Sequence, residues 1–137
     1  MILDRRSEKN LRGVDLSLVA VVRRAFDLSA RKFIVTEGLR SIERQRELYA
    51  QGRTAPGKIV TGTMSSKHLT GDAVDLAPLG LAGSLDWGEK ASAVVAQAMF
   101  AAAKEIGVKI RWGADWDQDG IPREKGEYDG PHFELTK

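Results

Sequence analysis

The apolar residues of this chain fall in short segments whose period changes from one to the next, and this alternation restricts the fold more than any other feature. Leu16, Val19, Val22 and Phe26 recur at helical spacing behind Asp15, a suitable N-cap. Phe33-Ile34-Val35-Thr36 reads as a short buried strand, followed by a turn at Glu37-Gly38. Ser41 then caps an expected helix from Ile42 to Ala50, with Gly52 placed to close it. Ala73 to Ala77 is expected as a strand ended by Pro78, and an alanine-rich helix runs from Trp87, behind Asp86, to Ile106 before Gly107. Val108-Lys109-Ile110-Arg111-Trp112 alternates as a half-buried strand does, and His132 to Leu135 forms the last strand. Residues 1–13 are polar and are expected to be loosely held. With no repeat and no linker to divide it, the chain is expected to be one α+β domain over 1–137, with a small antiparallel sheet and about three helices.

Composition removes several classes of function. There is no cysteine, so disulfides, thiolate metal sites and thiol nucleophiles are excluded. No apolar run reaches the roughly 18 residues of a membrane span, so stable membrane insertion is not expected. The opening MILDRRSEKN has no apolar stretch of the secretory-signal kind. A net charge of +2 conceals an asymmetry: residues 1–58 hold 13 Lys or Arg against 7 Asp or Glu, and residues 59–137 hold 8 against 12. The basic half suits an anionic polymer such as cell wall, or simply solvates itself. A specific nucleic-acid site is not expected, because the basic residues are not interleaved with aromatics.

The chemistry concentrates around the two histidines, each in a segment dense in glycine and polar residues. One segment is Ser66-Lys67-His68-Leu69-Thr70-Gly71-Asp72-Ala73-Val74-Asp75; the other is Tyr128-Asp129-Gly130-Pro131-His132-Phe133-Glu134. In a strand, Ala73, Asp75 and Ala77 share a face while Val74 and Leu76 turn to the core. Asp75 then projects between small alanines and needs a partner, because a carboxylate buried alone is costly. By the same parity His132 and Glu134 share a face and Phe133 points away. Two imidazoles and one carboxylate form a three-ligand set suited to catalytic zinc. Asp129 stands where it could act as general base, and Glu134 where it could hydrogen-bond a ligating imidazole.

The pattern Ser66-x-His68-x-x-Gly71-x-Ala73-x-Asp75, with Asp129-x-x-His132 far downstream, resembles the signature of the D-Ala-D-Ala carboxypeptidase (VanY-like) zinc peptidases. That family lies within the lysostaphin, D-Ala-D-Ala metallopeptidase and hedgehog fold group. Glu37-Gly38-Leu39-Arg40-Ser41 is similar to the family's Gly-x-Arg-Ser segment, and Trp112-Gly113-Ala114-Asp115-Trp116 with Tyr128-Asp129-Gly130-x-His132 is similar to L-alanyl-D-glutamate peptidase endolysins of tailed phages. The resemblance covers residues 33 to 135. It implies a hedgehog/D-Ala-D-Ala peptidase-like fold, zinc held by His68, Asp75 and His132, Asp129 as catalytic acid/base, and Arg40 on the substrate carbonyl or carboxylate. It further implies action on bacterial peptidoglycan by a protein held in the host cytoplasm until lysis; a monomer is expected, although no sequence feature specifies the oligomeric state.

Alternatives remain at several positions. Arg40 contacts substrate or braces the turn before its helix; Ser66 binds substrate or caps its own loop. Asp115, Asp117 and Asp119, followed by Gly120, make half of a calcium loop, but Gly126 stands where the full motif needs glutamate. Calcium there, or plain solvation, are both open. Trp87 and Trp112 are read as core, and Trp116 as core or substrate platform. Two other activities compete with the endopeptidase: a D,D- or L,D-carboxypeptidase of wall peptides, and a wall-binding module without catalysis.

Overall fold

The computed structural model describes residues 3–54, 67–80, 85–86, 89–113 and 131–136. Among these residues the order is α1 (Arg5–Asn10), α2 (Leu16–Leu28), β1 (Phe33–Glu37), α3 (Ile42–Ala50), a 3-10 turn (Lys67–Thr70), β2 (Ala73–Pro78), α4 (Glu89–Ile106), β3 (Ile110–Trp112) and β4 (His132–Leu135). The strands build one antiparallel sheet in the order β1-β2-β4-β3.

The two faces of this sheet have different chemistry because side chains alternate along each strand. On one face Phe33, Val35, Val74, Leu76, Ile110 and Phe133 join a single apolar cluster with α2 and α4. Helix α2 supplies Leu18, Val21, Val22 and Ala25, an i, i+3, i+4, i+7 stripe. That stripe is turned from the expected one, and Leu16, in the first turn, is 83% exposed. Trp112 packs against the same cluster and stacks on Phe133, with ring centroids 6.4 Å apart. The core reading of Trp112 therefore stands; Trp87 and Trp116 lie outside the described residues.

Among the described residues four helices stand where about three were expected, because residues 5–10 are not loose. Asp4 caps α1, accepting from the Ser7 N–H at 2.9 Å. The helix then lies against β1, whose outer edge has no strand beside it among the described residues. An open edge leaves backbone groups that must find partners. Ser7 Oγ accepts from the Val35 N–H at 2.8 Å, and Asn10 Nδ2 donates to the Val35 carbonyl at 2.8 Å. Two polar side chains thus do the work of a fifth strand, while Leu3 and Leu11 beside them are buried in the core. Polar composition alone misled here, since the polar atoms face an edge rather than water.

Other boundaries shift for local reasons. Helix α4 stops at Gly107 as expected, with φ at 86°. The N–H groups of Gly107 and Val108 both donate to the Ala103 carbonyl, at 2.8 and 2.9 Å, so Val108 closes the helix and β3 starts only at Ile110. Helix α4 is described from Glu89, the expected start at Trp87 lies outside the described residues, and the Asp86 carboxylate pairs with Arg31 Nη1 at 2.7 Å. Within the expected 52–72 loop, residues 67–70 form a 3-10 turn. Among the described residues no helix is long and apolar enough to cross a membrane.

Replacing Ser7 with alanine strands the Val35 N–H inside the protein. Urea unfolding should show a loss of about 1–3 kcal/mol, whereas Arg5→Ala on the exposed side of the same helix should stay within about 0.5 kcal/mol.

Candidate metal centre

The face of the sheet opposite the apolar cluster carries the polar groups. Strand register sets Asp75 opposite His132 and Ala73 opposite Glu134. His68 reaches the same place from the 3-10 turn that precedes β2. That turn is docked closely: Gly71 has φ at 77°, and a Cβ there would stand 2.4 Å from the Gly13 carbonyl oxygen. Only glycine meets both conditions. The Gly71 carbonyl accepts from the Asp15 N–H at 2.8 Å, and the His68 carbonyl accepts from the Arg40 N–H at 2.8 Å.

The hydrogen bonds of the two imidazoles decide which nitrogens face each other. His68, 2% exposed, places Nδ1 2.8 Å from the Gly38 carbonyl oxygen, which can only accept. Nδ1 therefore carries a proton, and Nε2 points to Asp75 Oδ1 at 3.3 Å. His132 is oriented the other way round. Its Nε2 lies 2.8 Å from Glu134 Oε1, and its Nδ1 stands 3.3 Å from Asp75 Oδ1. The rings meet edge to face, 5.0 Å between centroids.

One ligand atom each from His68, Asp75 and His132 thus falls within 4.8 Å of the others. Two donors bound to one tetrahedral zinc at about 2.0–2.1 Å are separated by about 3.4 Å. The two separations of 3.3 Å to Asp75 match that spacing, and the N, N, O donor set is the kind zinc accepts. These residues could hold a metal ion. Burial pushes the Asp75 carboxyl up, but in the metal-free site hydrogen bonds and charge from His132 and His68, which only doubly protonated imidazoles can give, outweigh it and hold Asp75 well below the usual carboxylate range. A cation in this donor set would take over that stabilising role, since the two facing nitrogens must be bare to ligate it.

The remaining expectations divide. The Arg40 side chain is held by its neighbours, which leaves both of its readings open. Its Nε and Nη2 grip Glu37 Oε1 and Oε2 at 2.6 and 2.7 Å, its Nη1 donates to Gln45 Oε1 at 2.7 Å, and its side chain is 9% exposed. Glu37 is the cross-strand partner of Asp75, so the clamp sits beside the His68, Asp75 and His132 cluster. Ser66, Asp129, Asp115, Asp117 and Asp119 lie outside the described residues.

Glu37 and Gln45, at the two ends of the family-like segment Glu37–Gln45, and Lys67 and Arg111 had no functional role assigned from the sequence. Glu37 sits three residues before Arg40, a spacing that hints at a pair. Gln45 is fully buried, and nothing in its helix pattern announces that. Arg111 and Lys67 become visible only through the β3–β4 register and the fold of the 3-10 turn, which bring both to Glu134.

Zinc titrated into metal-free protein should bind at one site per chain and raise unfolding stability by about 2.7 kcal/mol at a hundredfold excess over Kd. Asp75→Ala should abolish both the binding and the stabilisation, as read by calorimetric titration and melting.

The model of the phage L-alanyl-D-glutamate peptidase family matches residues 1–136. The chain is 38% identical over 136 residues to the L-alanyl-D-glutamate peptidase of Escherichia phage T5, covering 96% of each chain. It is 36% identical over 109 residues to the peptidoglycan L-alanyl-D-glutamate endopeptidase CwlK of Bacillus subtilis, covering 74% of this chain and 59% of that one. The crystal structure of the L-Ala D-Glu endopeptidase ChiX of Serratia marcescens superposes with a TM-score of 0.78 and 42% identity, over 96% of this chain and 87% of that one. The chain belongs to the phage L-alanyl-D-glutamate peptidase family.

Proposed function

We propose that this chain is a zinc-dependent endopeptidase that hydrolyses the L-alanyl-D-glutamate bond of bacterial peptidoglycan stem peptides, serving as a phage or prophage endolysin. The observation that carries the reading is the convergence of His68, Asp75 and His132 on one face of the sheet, in a chain of this family. With zinc in that donor set, the ion supplies a Lewis acid beside the scissile carbonyl and acidifies water toward neutral pH.

The chain's own groups carry the proton and hold the charge. Asp129 accepts the proton of the attacking water and returns it to the nitrogen of D-glutamate as the amide C–N bond breaks. The L-alanyl carbonyl oxygen gains negative charge in the tetrahedral intermediate, and Arg40 donates hydrogen bonds to it. Glu37 and Gln45 hold the guanidinium in one orientation, so little reorganisation is needed as that charge develops. Ser66 hydrogen-bonds the substrate. The surplus of basic residues over 1–58 favours residence on an anionic wall.

Mass analysis of products from purified peptidoglycan tests the bond. New amino-terminal D-glutamate is expected, lost with chelator and regained with zinc; release of terminal D-alanine with the L-alanyl-D-glutamate bond intact would replace this reading by the carboxypeptidase, and binding to wall without any cleavage by the non-catalytic module. Asp129→Ala should lower kcat by about 10²–10⁴-fold while zinc Kd stays unchanged, separating the proton carrier from the ligands.

A further inference from the structure

Glu134 is a heavily partnered carboxylate beside the proposed metal site, and ligation of a metal leaves it unused. Its side chain is 6% exposed, and its two oxygens are divided between two kinds of partner. Oε1 takes the His132 Nε2–H at 2.8 Å. Oε2 takes Arg111 Nη2 at 2.6 Å and faces Lys67 Nζ at 3.2 Å. Each partner comes from a different segment: His132 from β4 itself, Arg111 from β3 as the cross-strand partner of Glu134, and Lys67 from the turn, next to His68. On the other side Glu134 faces Ala73, whose small side chain leaves room for the carboxylate.

We propose that Glu134, fixed by Arg111 and Lys67, is a positioning residue that aims His132 Nδ1 at the metal-binding point and sets the affinity of the site. This rests on the reading of His132 as a ligand. An imidazole turns about two side-chain bonds, and neither bond by itself favours the rotamer that puts Nδ1 toward Asp75. An acceptor at Nε2 fixes both the ring angle and the tautomer. The two cations prevent the carboxylate from turning away, and an ionised acceptor makes the ligating nitrogen more basic. Lys67 also donates to the Leu135 carbonyl at 2.5 Å, so the turn bearing His68 and the strand bearing His132 are tied at this one point. The spacing of the two imidazoles is thereby set outside the metal site.

The test measures zinc Kd by chelator competition on the full chain, for wild type, Glu134→Ala and Glu134→Gln, with melting of each metal-free protein as a check on folding. Glu134→Ala should weaken zinc binding by about 10–100-fold, and Glu134→Gln, whose amide oxygen still accepts from Nε2, should recover part of that loss. In the zinc-loaded wild type, nitrogen-15 NMR should show the proton of His132 on Nε2. Equal zinc affinity in wild type and Glu134→Ala would overturn the proposal, as would a His132 proton found on Nδ1. So would a folded Glu134→Gln that binds zinc no better than the alanine variant. Failure of the wild type to bind zinc would remove the ligand reading and this one with it. A wild type that binds zinc with the predicted Glu134 dependence but leaves peptidoglycan intact would sink only the proposed function.

Discussion

In the antiparallel pairing of β2 with β4, Asp75 stands opposite His132 and Ala73 opposite Glu134. A slip of one residue along β4 would turn His132 and Glu134 into the apolar cluster and bring Phe133 to the polar face. The register is held from the other side, by Val74, Leu76 and Phe133 packed under α2 and α4. Core packing and site assembly are therefore two consequences of one alternation. The hydrophobic effect supplies the free energy for both, since the polar face alone would gain little from closing.

A site of this kind concentrates groups that resist burial. His68, His132 and Glu134 are all below a tenth exposed, and such groups are tolerated only with partners. The partners are arranged in two layers. Nearest the centre, Asp75 is shared by both imidazoles. Behind it, Gly38 holds His68 and Glu134 holds His132, so each ring is oriented from its far side. Glu134 remains ionised for the same reason it can be buried. Burial raises its carboxyl, but hydrogen bonds from His132 and Arg111 bring it down to about 2.

The support for His68 continues into the amino-terminal helix. A Cβ on Gly38 would lie 2.0 Å from the Asn10 carbonyl oxygen, so α1 and the strand end that carries Gly38 are in direct backbone contact. The same Asn10 closes the edge of β1 through its side chain. Residues 5–10 are thus joined to the site through two steps of close packing, and their helix is part of what keeps the Gly38 carbonyl aimed at His68.

Local spacing in the sequence determined a good deal. The parity of 73–77 and 132–135 assigned Asp75, His132 and Glu134 to polar faces and Val74, Leu76 and Phe133 to the core, because side-chain direction in a strand follows from the backbone alone. Helix ends at Ser41, Gly52 and Gly107 were readable because capping is decided within a few residues. What no local pattern holds is the partner. That Arg40 would be gripped by Glu37 and Gln45, that Arg111 and Lys67 would converge on Glu134, and that a polar amino terminus would serve as a strand's missing neighbour all depend on contacts between distant segments. Those contacts exist only once packing has chosen a register and an angle for each element, so the tertiary structure alone decided them.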